Sequence, residues 1–578
     1  MNRNMNCIPS FTILFTCISM FLSSCVGQGS GDLSFAESFS RELAENKVQG
    51  AGYAVFSADS IVWSGSYGYT DSLKTTPVSL HTSFNIGSVT KVFTALAIMQ
   101  LHEKGLLDID KPVSTYIPDF TIEQRFPGSA PITVRSVLTH HSGLPGDYMK
   151  GKFAEEPGDY HVILDYLNGQ TTCFPAGKIA AYSNLGYALL GIVIERVSGM
   201  SYTDYISRHI FKPAKMTESG FYQQYGQEPS LSTGFNTEGK AQKELPLLDI
   251  PAGAIYSTIA DMVRFGQALF DSEDLILKNE TLEMMFEVQN IDVPLDLRNR
   301  TGLCWSVSNK AKELGRVYQH GGATAYHRAQ FWFAPDAGLG GVVLSNSSNG
   351  VQNAWRINEE WMVDYVKSNN IKVKNIPLPE KKVEFTPVLN KDLPSFTGWY
   401  ATYGMVCRFD WKHNNLYTTI QGNSFYLVPN GENDFVPARR ILGFMAKRAT
   451  RWFHFEEIDG EKLFLESTAW GTLNIIGRRF KSRPLTPEWL SRTGTYSAES
   501  LDYLPVDKIV ITDNDGVLIL RYQFASSWGG GAKIEAALEP IDDDRAVTGG
   551  LGRNAGEVLK FDVNGFELGG IKFHRERI

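Results

Sequence analysis

The chain has 578 residues, a formal net charge of −8 and 43% hydrophobic residues. This length exceeds what one hydrophobic core usually organises, so it predicts about three or four domains. The net negative charge and the lack of a long basic block give no support for nucleic-acid binding.

The start of the chain has the pattern of a secretory signal. An apolar run at residues 8–22 follows Arg3 and is too short to span a membrane. The run ends in Leu22-Ser23-Ser24-Cys25, which resembles a bacterial lipobox, where the signal is cut before the cysteine and its thiol is lipidated. We therefore predict a lipoprotein signal peptide at residues 1–24, lipidation of Cys25 and a flexible tether at residues 25–32.

This reading predicts attachment to the bacterial cell envelope through the lipid on Cys25, on the periplasmic or outer-membrane face. The membrane leaflet stays open. The alternative is an ordinary signal peptide that happens to contain a cysteine.

The next element combines a serine and a lysine at helical spacing. Residues 92–101 are apolar on nearly every side and are followed by Gly105, which is typical of a buried helix that ends at a glycine. Ser88 and Lys91 lie on one face at the start of this helix. Helix N–H groups favour a developing oxyanion there, and burial would lower the pKa of Lys91. The pattern predicts a serine nucleophile with its own base, although chance alone yields such a spacing about twice in this composition.

Two later segments carry further polar motifs. Tyr182-Ser183-Asn184 lies in a polar break before the apolar helical residues 185–197, so we predict it as a loop that presents its side chains. His320-Gly321-Gly322 closes a short strand. Two further strands follow at residues 329–333 and 339–344, which predicts an antiparallel sheet.

The order Ser-x-x-Lys, Tyr-x-Asn, His-x-Gly resembles the penicillin-binding protein and class C β-lactamase superfamily of serine hydrolases. Residues 132–145 and 251–262 are similar to further segments of that superfamily, the second with Ser257 or Thr258 as a helix cap. The resemblance covers about residues 33–366. It implies an α+β domain in which helices and a helical subdomain flank an antiparallel sheet. His141 also fits the third motif but precedes Tyr182, so we interpret it as structural.

The resemblance implies a catalytic role for three side chains. Ser88 would attack an acyl carbonyl, while Lys91 and Tyr182 would move the protons. Which of the two is the general base stays open. The backbone N–H groups of Ser88 and Ala323 would form the oxyanion hole.

The resemblance also implies substrate-binding residues. Asn184 would hold either the substrate amide or Lys91, and His320, Gly321 and Gly322 would line the substrate on the other side. Many relatives have lysine where this chain has His320. Lysine is a fixed cation for a β-lactam carboxylate, whereas histidine is largely neutral at pH 7. Relatives with histidine include D,D-peptidases, D-aminopeptidases and esterases, so strong β-lactamase activity is less expected.

The remainder of the chain has a different composition. Residues 367–390 contain several prolines and read as a linker, whereas residues 391–482 and 483–578 are rich in short aromatic and β-branched runs. Residues 396–400 and 492–496 are also alike, which indicates a repeat of about 90 residues. We predict two small all-β barrels that are lipocalin-like and resemble those of D-aminopeptidase-type relatives. Their role stays open.

The motifs and the resemblance together imply a serine hydrolase that acts through an acyl-enzyme on D-amino-acid-containing peptides or related amides and esters, with cell-wall fragments among the candidate substrates. A carboxylesterase or weak β-lactamase of the same fold is one alternative. The other is a penicillin-binding module that senses the cell wall without hydrolysis. The chemistry needs no metal or organic cofactor, and Cys173, Cys304 and Cys407 form neither a disulfide framework nor a zinc-ligand pattern.

Overall fold

The computed structural model describes residues 32–152, 154–222, 231–270, 275–350, 354–374, 376–379, 390–420, 422–430, 434–441, 444–447, 451–467, 473–499, 506, 508–523 and 533–576. The predicted signal peptide, Cys25 and residues 25–31 of the tether lie outside these ranges. Within the described residues, no helix has both the length and the apolar composition needed to cross a membrane.

A seven-stranded antiparallel sheet forms the centre of the first domain, counted over the described residues. In spatial order its strands are Ile61–Gly68, Gly50–Phe56, Leu339–Ser345, Arg328–Ala334, Val317–Ala323, Ser306–Ser308 and Arg300–Thr301. Two of them, Gly50–Phe56 and Leu339–Ser345, are buried along their whole length and pair with each other as the second and third strands of the sheet. Strands from both ends of the domain therefore close one core.

Helices cover both faces of this sheet. The α-helices within the described residues are Asp32–Glu45, Thr90–Glu103, Val134–Leu138, Val162–Asn168, Asn184–Ser198, Tyr202–Ile206, Ile250–Gly253, Ile259–Leu269, Asn279–Phe286, Ala354–Ser368 and Pro487–Ser491. Phe39, Leu43 and Met362, from the first helix and the one that follows the sheet, pack with Trp63 and Trp332 on one face. Most of the other helices of the domain form the larger core on the opposite face.

Shorter elements complete the first domain. They are the strands Phe84–Asn85, Ile255–Ser257 and Gly220–Phe221 of one small sheet, the pair Gly234–Phe235 and Ala241–Gln242, the π-helical turn Ser207–Phe211, and the 3-10 turns Gly87–Val89, Val113–Thr115, Pro294–Asp296 and Pro335–Ala337.

Helix Thr90–Glu103 is buried over its first twelve residues, because its apolar side chains contact neighbours on every side. It ends at Glu103, and Gly105 follows in the left-handed region at φ 69°. The predicted buried helix with a glycine stop is confirmed.

Two all-β units follow. After the 3-10 segment Asn390–Phe396 the first contains the strands Gly398–Thr402, Met405–Lys412, Asn415–Ile420, Asn423–Pro429, Phe435–Ile441, Phe444–Lys447, Trp452–Ile458, Glu461–Ser467 and Leu473–Phe480. Pairing of Asn423–Pro429 with Phe435–Ile441 closes eight of these described strands into a barrel, and Phe444–Lys447 adds a hairpin to its edge. The core of this barrel is largely aromatic and includes Tyr400, Phe409, Phe455 and Phe464.

The second barrel is also closed and is built from Gly494–Ala498, Ile509–Asp513, Leu518–Gln523, Lys533–Pro540, Arg545–Thr548, Val558–Phe561, Gly565–Leu568 and Ile571–Arg575. In both barrels the last strand is joined to the start of the first strand in the same way. An arginine of the last strand, Arg479 or Arg575, donates to a carbonyl just before the first strand, at Thr397 or Thr493. The α+β domain and the two predicted barrels are thus confirmed. The repeated residues 396–400 and 492–496 lie where the first strand of each barrel begins and include these two carbonyl acceptors.

The first domain and the two barrels pack against one another. Apolar side chains from the first domain, including Phe174 and Leu295, share one cluster with Leu465 of the first barrel and Leu551 of the second. Within the predicted linker, Leu378 packs against the large core and the Pro379 carbonyl accepts from Arg300 Nε at 3.2 Å. The preceding helix runs to Ser368, past the predicted domain end at residue 366.

Candidate active site

Ser88 lies on the 3-10 turn Gly87–Val89, immediately before helix Thr90–Glu103. It lines a cavity of about 1250 Å³ whose walls come from the first domain and both barrels. The turn packs directly against strand Val317–Ala323. A Cβ on Gly87 would lie 2.6 Å from the Ala323 nitrogen, and a Cβ on Gly322 would lie 1.9 Å from the Ile86 carbonyl oxygen. Only glycine at both positions lets the two backbones approach so closely.

Lys91 is one helical turn beyond Ser88 and fully buried. Its Nζ lies 3.0 Å from the Ser88 Oγ and donates to the Ala252 carbonyl at 2.6 Å. Ala252 belongs to helix Ile250–Gly253, so the second segment noted for its resemblance supplies this acceptor. Burial lowers the pKa of Lys91 to about 7, because the charged amine loses its water. At pH 8 a large fraction of Lys91 is therefore neutral.

Tyr182 contacts both Ser88 and Lys91. Its hydroxyl is hydrogen-bonded to Ser88, and its ring centroid is 5.0 Å from Lys91 Nζ. Burial raises the pKa of Tyr182 above its ordinary value. The structure thus brings together all three side chains for which the motifs predict proton transfer or nucleophilic attack.

Asn184 occupies a different position from the one expected. It is the first residue of helix Asn184–Ser198, not part of a loop, because Ser183 caps that helix by accepting from the Gly186 N–H at 2.9 Å. The Asn184 Nδ2 donates to Asp147 Oδ1 at 2.7 Å. The structure shows this contact and not one with Lys91. Asn184 still lines the cavity.

His320, Gly321, Gly322 and Ala323 are the last four residues of strand Val317–Ala323 and line the cavity opposite Tyr182. The strand is longer than predicted and includes the whole motif. The Nδ1–H of His320 donates to the Gly321 carbonyl at 2.7 Å. Burial and the Lys91 charge lower the pKa of His320 to about 4, so the ring is neutral at pH 7.

Two histidines of the segment at residues 132–145 face different surroundings. His141 is buried and its Nε2 lies 2.7 Å from Asp296 Oδ2, away from the cavity. His140 lines the cavity, and its ring centroid is 4.2 Å from that of Tyr182. Its Nδ1 accepts from the Ser183 N–H at 3.1 Å, and burial keeps its pKa well below the ordinary value. Sequence reasoning missed His140, because only packing shows which of the adjacent histidines meets Tyr182.

A buried charge cluster lies beside Asn184. Lys152 Nζ contacts Asp147 Oδ1 at 2.5 Å and Asp249 Oδ2 at 2.9 Å. All three residues line the cavity. The two carboxylates raise the pKa of Lys152 despite its burial, and the positive charges of Lys152 and Arg553 hold the pKa of Asp147 below its usual range.

The second barrel reaches into the same cavity. Residues 549–557 connect strands Arg545–Thr548 and Val558–Phe561, and they place Arg553 against Asp147, with Nη2 and Oδ2 3.0 Å apart. The Arg553 guanidinium also lies over the Tyr182 ring, 4.9 Å from its centroid. The Glu557 Oε1 accepts from the Gly146 N–H at 2.9 Å. No motif in the sequence marks Arg553 or Glu557 as part of this site.

We predict that the contact of Glu557 with Gly146, between the second barrel and the first domain, depends on pH. Burial raises the pKa of Glu557 to about 7, so its carboxyl takes up a proton in the folded protein that it would lose in the unfolded chain. The contribution of Glu557 to folding stability is therefore lost as the pH rises from about 5 to about 8. We expect the melting temperature of the wild type to fall relative to that of Glu557→Gln over this range. Calorimetry of both proteins at matched pH values measures the difference. Parallel curves for the two would contradict it.

Comparisons with known proteins agree with this fold. A family model described as beta-lactamase matches residues 35–359, which is more than half of the chain. PbpX of Bacillus subtilis (strain 168) is 36% identical over 232 residues, covering 39% of this chain and 56% of that protein. Penicillin-binding protein 4* of the same organism is 31% identical over 290 residues, covering 45% and 60%. This chain thus spans less than two thirds of each curated relative.

A solved structure extends the similarity beyond the first domain. The octameric penicillin-binding protein homologue from Pyrococcus abyssi has a TM-score of 0.52 and 22% sequence identity, covering 75% of this chain and 97% of that one. At this identity the likeness concerns the fold. With the family model spanning the central sheet and its helices, the chain belongs to the beta-lactamase family of serine hydrolases.

Proposed function

We propose that this protein hydrolyses D-amino-acid-containing peptides, or related amides and esters, through an acyl-enzyme on Ser88. The observation that carries the proposal is the contact of the Ser88 hydroxyl with both a buried amine and a buried phenol. A serine hydroxyl is a weak nucleophile until a neighbouring base can take its proton. Lys91 and Tyr182 are in position to do so.

Lys91 is the better candidate for the base in the first step. Burial lowers the pKa of Lys91 to about 7, whereas it raises that of Tyr182, so a neutral amine is far more available near pH 8 than a phenolate. The Ser88 proton passes to Lys91 Nζ as Oγ forms a bond to the acyl carbon. The backbone N–H groups of Ser88 and Ala323 would stabilise the oxyanion, since the two backbones pack against each other at this point.

Collapse of the tetrahedral intermediate breaks the bond to the leaving group. The leaving amine or alcohol takes a proton from Tyr182, which regains one from Lys91, so no net charge is left at the site. Water then attacks the Ser88 ester by the reverse path. Its proton returns to the Ser88 Oγ as the acid product leaves.

The neutral state of His320 supports this substrate class over β-lactams. Burial lowers the pKa of His320 to about 4, so the ring offers no fixed charge to a β-lactam carboxylate at neutral pH. Its unprotonated Nε2 can accept a hydrogen bond instead, since Nδ1–H donates to Gly321. An amide N–H of a peptide substrate is a suitable donor.

Intact-protein mass spectrometry tests the proposal. The full chain is exposed separately to a fluorophosphonate, to benzylpenicillin and to a D-Ala-D-Ala peptide, and each adduct is followed with time. We expect a stable phosphonyl adduct, a transient acyl adduct with turnover of the peptide, and a penicilloyl adduct that is slowly hydrolysed to penicilloate. A permanent penicillin adduct without turnover of any peptide, amide or ester would favour a sensing module instead. Turnover confined to esters would favour a carboxylesterase.

We also propose that the protein is held at the cell envelope by a lipid on Cys25. The lipobox-like segment Leu22-Ser23-Ser24-Cys25 supports this. We expect Cys25→Ser to move the protein from the membrane to the soluble fraction without a change in its hydrolysis of a small ester. Fractionation and mass spectrometry of the mature N-terminus measure both effects. A mature protein that starts upstream of Cys25 would contradict the proposal.

Arg553 is a positioning residue in this scheme, because it acts on Tyr182 and Asp147. We expect Arg553→Ala to lower kcat for a short ester about 5- to 30-fold, the equivalent of a desolvated cation–π contact of about 1–2 kcal/mol. Loss of the cation also removes a charge that lowers the pKa of Lys91, so the acidic limb of the pH profile near pH 7 should move to higher pH.

The matched control for this change is Arg521→Ala. Arg521 lies on the same barrel and pairs with Glu535 at 2.6 Å, but it does not line the cavity. An unchanged kcat and an unchanged pH profile in Arg553→Ala would show that the guanidinium does not influence proton transfer at Ser88.

A further inference from the structure

The cavity that begins at Ser88 continues into the end of the second barrel. Its far wall is formed by five apolar side chains of that barrel: Ile509, Ile534, Leu568, Ile571 and Phe573. The same residues belong to the barrel core or pack against it, apart from Ile534, whose strand position places it on the same inner face. The cavity is thus continuous from the serine hydroxyl to the interior of the barrel.

Strand register explains why these side chains face one space. Ile509 lies opposite Tyr522, which lies opposite Ile534 on the next strand. Cross-strand partners point to the same face of a sheet, and in a closed barrel that face is the interior. Leu568 and Ile571 are paired in the same way beside Phe573.

The first domain meets the barrel at this end. The Met149 N–H donates to the Gly569 carbonyl at 2.8 Å, and the Met149 side chain packs against the barrel core. A Cβ on Gly570 would lie 2.1 Å from the Tyr148 ring, so the two surfaces are in close contact. The barrel end therefore opens towards Ser88 rather than away from it.

Polarity changes along the cavity. Beside Ser88 the charged groups Asp147, Lys152 and Arg553 are bound to one another, whereas the described side chains of the far wall are apolar except for Tyr522. The Tyr522 hydroxyl is hydrogen-bonded to that of Tyr403 from the first barrel. A ligand in the barrel end thus gains from apolar contact and would lose hydration without compensation if it were polar there.

We propose that the end of the second barrel is a binding site for an apolar chain of the substrate whose acyl bond Ser88 cleaves. The inference rests on the proposed function, because a ligand seated there reaches the Ser88 hydroxyl through the same cavity. The volume of about 1250 Å³ accommodates such a chain together with the reacting group. The substrate is then a peptide, amide or ester with an aliphatic portion, not a small polar dipeptide alone.

Two ester series measured with the full chain test this site. One varies the acyl chain of p-nitrophenyl esters from two to ten carbons, and the other varies the alkyl alcohol of acetate esters over the same range. We expect kcat/KM to rise about two- to fourfold per methylene in one of the series, the gain for burying apolar surface. The series that rises shows which side of the scissile bond enters the barrel. A flat dependence in both would overturn the inference.

Substitutions locate the site. Ile534→Gln and Leu568→Gln place a polar group on the barrel wall at half-buried positions, where folding tolerates them better than at fully buried ones. We expect each to lower the ratio of decanoyl to acetyl kcat/KM about tenfold, or the corresponding ratio of the alcohol series. Ile541→Gln, at an exposed position of the same barrel, should leave the ratio unchanged. Equal ratios in all four proteins would place the chain elsewhere and overturn the inference.

A third measurement does not depend on which of the two ester series shows the rise. 1-Decanol should inhibit hydrolysis of the acetyl ester competitively in the wild type and more weakly in Leu568→Gln. If the wild type neither hydrolyses the acetyl ester nor forms a fluorophosphonate adduct, the proposed function itself is refuted. If the wild type hydrolyses the acetyl ester but shows neither a dependence on chain length nor inhibition by 1-decanol, only the barrel site is refuted.

Discussion

The Ser88→Ala variant should lose covalent labelling by a fluorophosphonate and should lose turnover by about 10⁴-fold or more, because the covalent route then no longer exists. Intact mass and hydrolysis of an activated ester measure the two losses. The fold should survive, since Lys91 keeps its contact with the Ala252 carbonyl and the serine side chain contributes little packing. Circular dichroism and the melting temperature check this.

Ser306→Ala is the control for this change. Ser306 lines the same cavity but lies on a strand and not at the start of a helix. We expect it to keep full labelling. An adduct on a serine other than Ser88 in the wild type, or an adduct on Ser88→Ala, would show that the nucleophile is elsewhere.

The contact between Ser88 and Lys91 could be predicted from the sequence because it is local. Residues three apart on a helix face the same side whatever the rest of the fold does, and the apolar run that follows ensures burial. That Tyr182 and His320 belong to the same site could be predicted only from the order of the motifs, because each lies at least 94 positions beyond Ser88 in the sequence. The helix predicted at residues 185–197 is present, but its start at Asn184 was missed because the capping role of Ser183 was not recognised.

The other wall of the cavity could not be predicted in this way. Arg553 and Glu557 contact Asp147 and Gly146 across 406 and 411 residues of sequence. Their position depends on how the second barrel packs against the first domain, and barrel patterning records only which residues face inward. Composition identified two barrels but carried no information about which end meets the site. The charge cluster of Asp147, Lys152 and Asp249 likewise forms only when distant segments pack together.

The Lys91→Ala and Tyr182→Phe variants should each lower kcat/KM by at least about 100-fold, the scale of lost general acid or base assistance. The two groups share one proton path through Ser88, with Nζ 3.0 Å from Oγ and the Tyr182 hydroxyl bonded to the same oxygen. Once one group is removed, the path is broken and the other has less to contribute. We therefore expect the double variant to be scarcely slower than the slower single variant.

The pH profile distinguishes the two roles. In the wild type, kcat/KM should rise from pH 5 to pH 8 as Lys91 loses its proton, because burial lowers its pKa to about 7 and only the neutral amine accepts the Ser88 proton. Lys91→Ala should lose this rise, whereas Tyr182→Phe should keep it at a lower rate. Lys104→Ala, at the exposed residue that follows the same helix, serves as the control and should match the wild type.

Stopped-flow acylation by an activated ester gives the cleanest test of this coupling, because it isolates the step in which Ser88 loses its proton. A double variant whose loss equals the full product of the two single losses would show that Lys91 and Tyr182 act independently. A rise with pH that persists in Lys91→Ala would assign the base to another group. Of the cavity-lining histidines, His140 and His320 both have a lowered pKa, so neither would produce a rise near pH 7. An acidic limb near pH 7 that disappears only in Lys91→Ala therefore identifies the amine as the base.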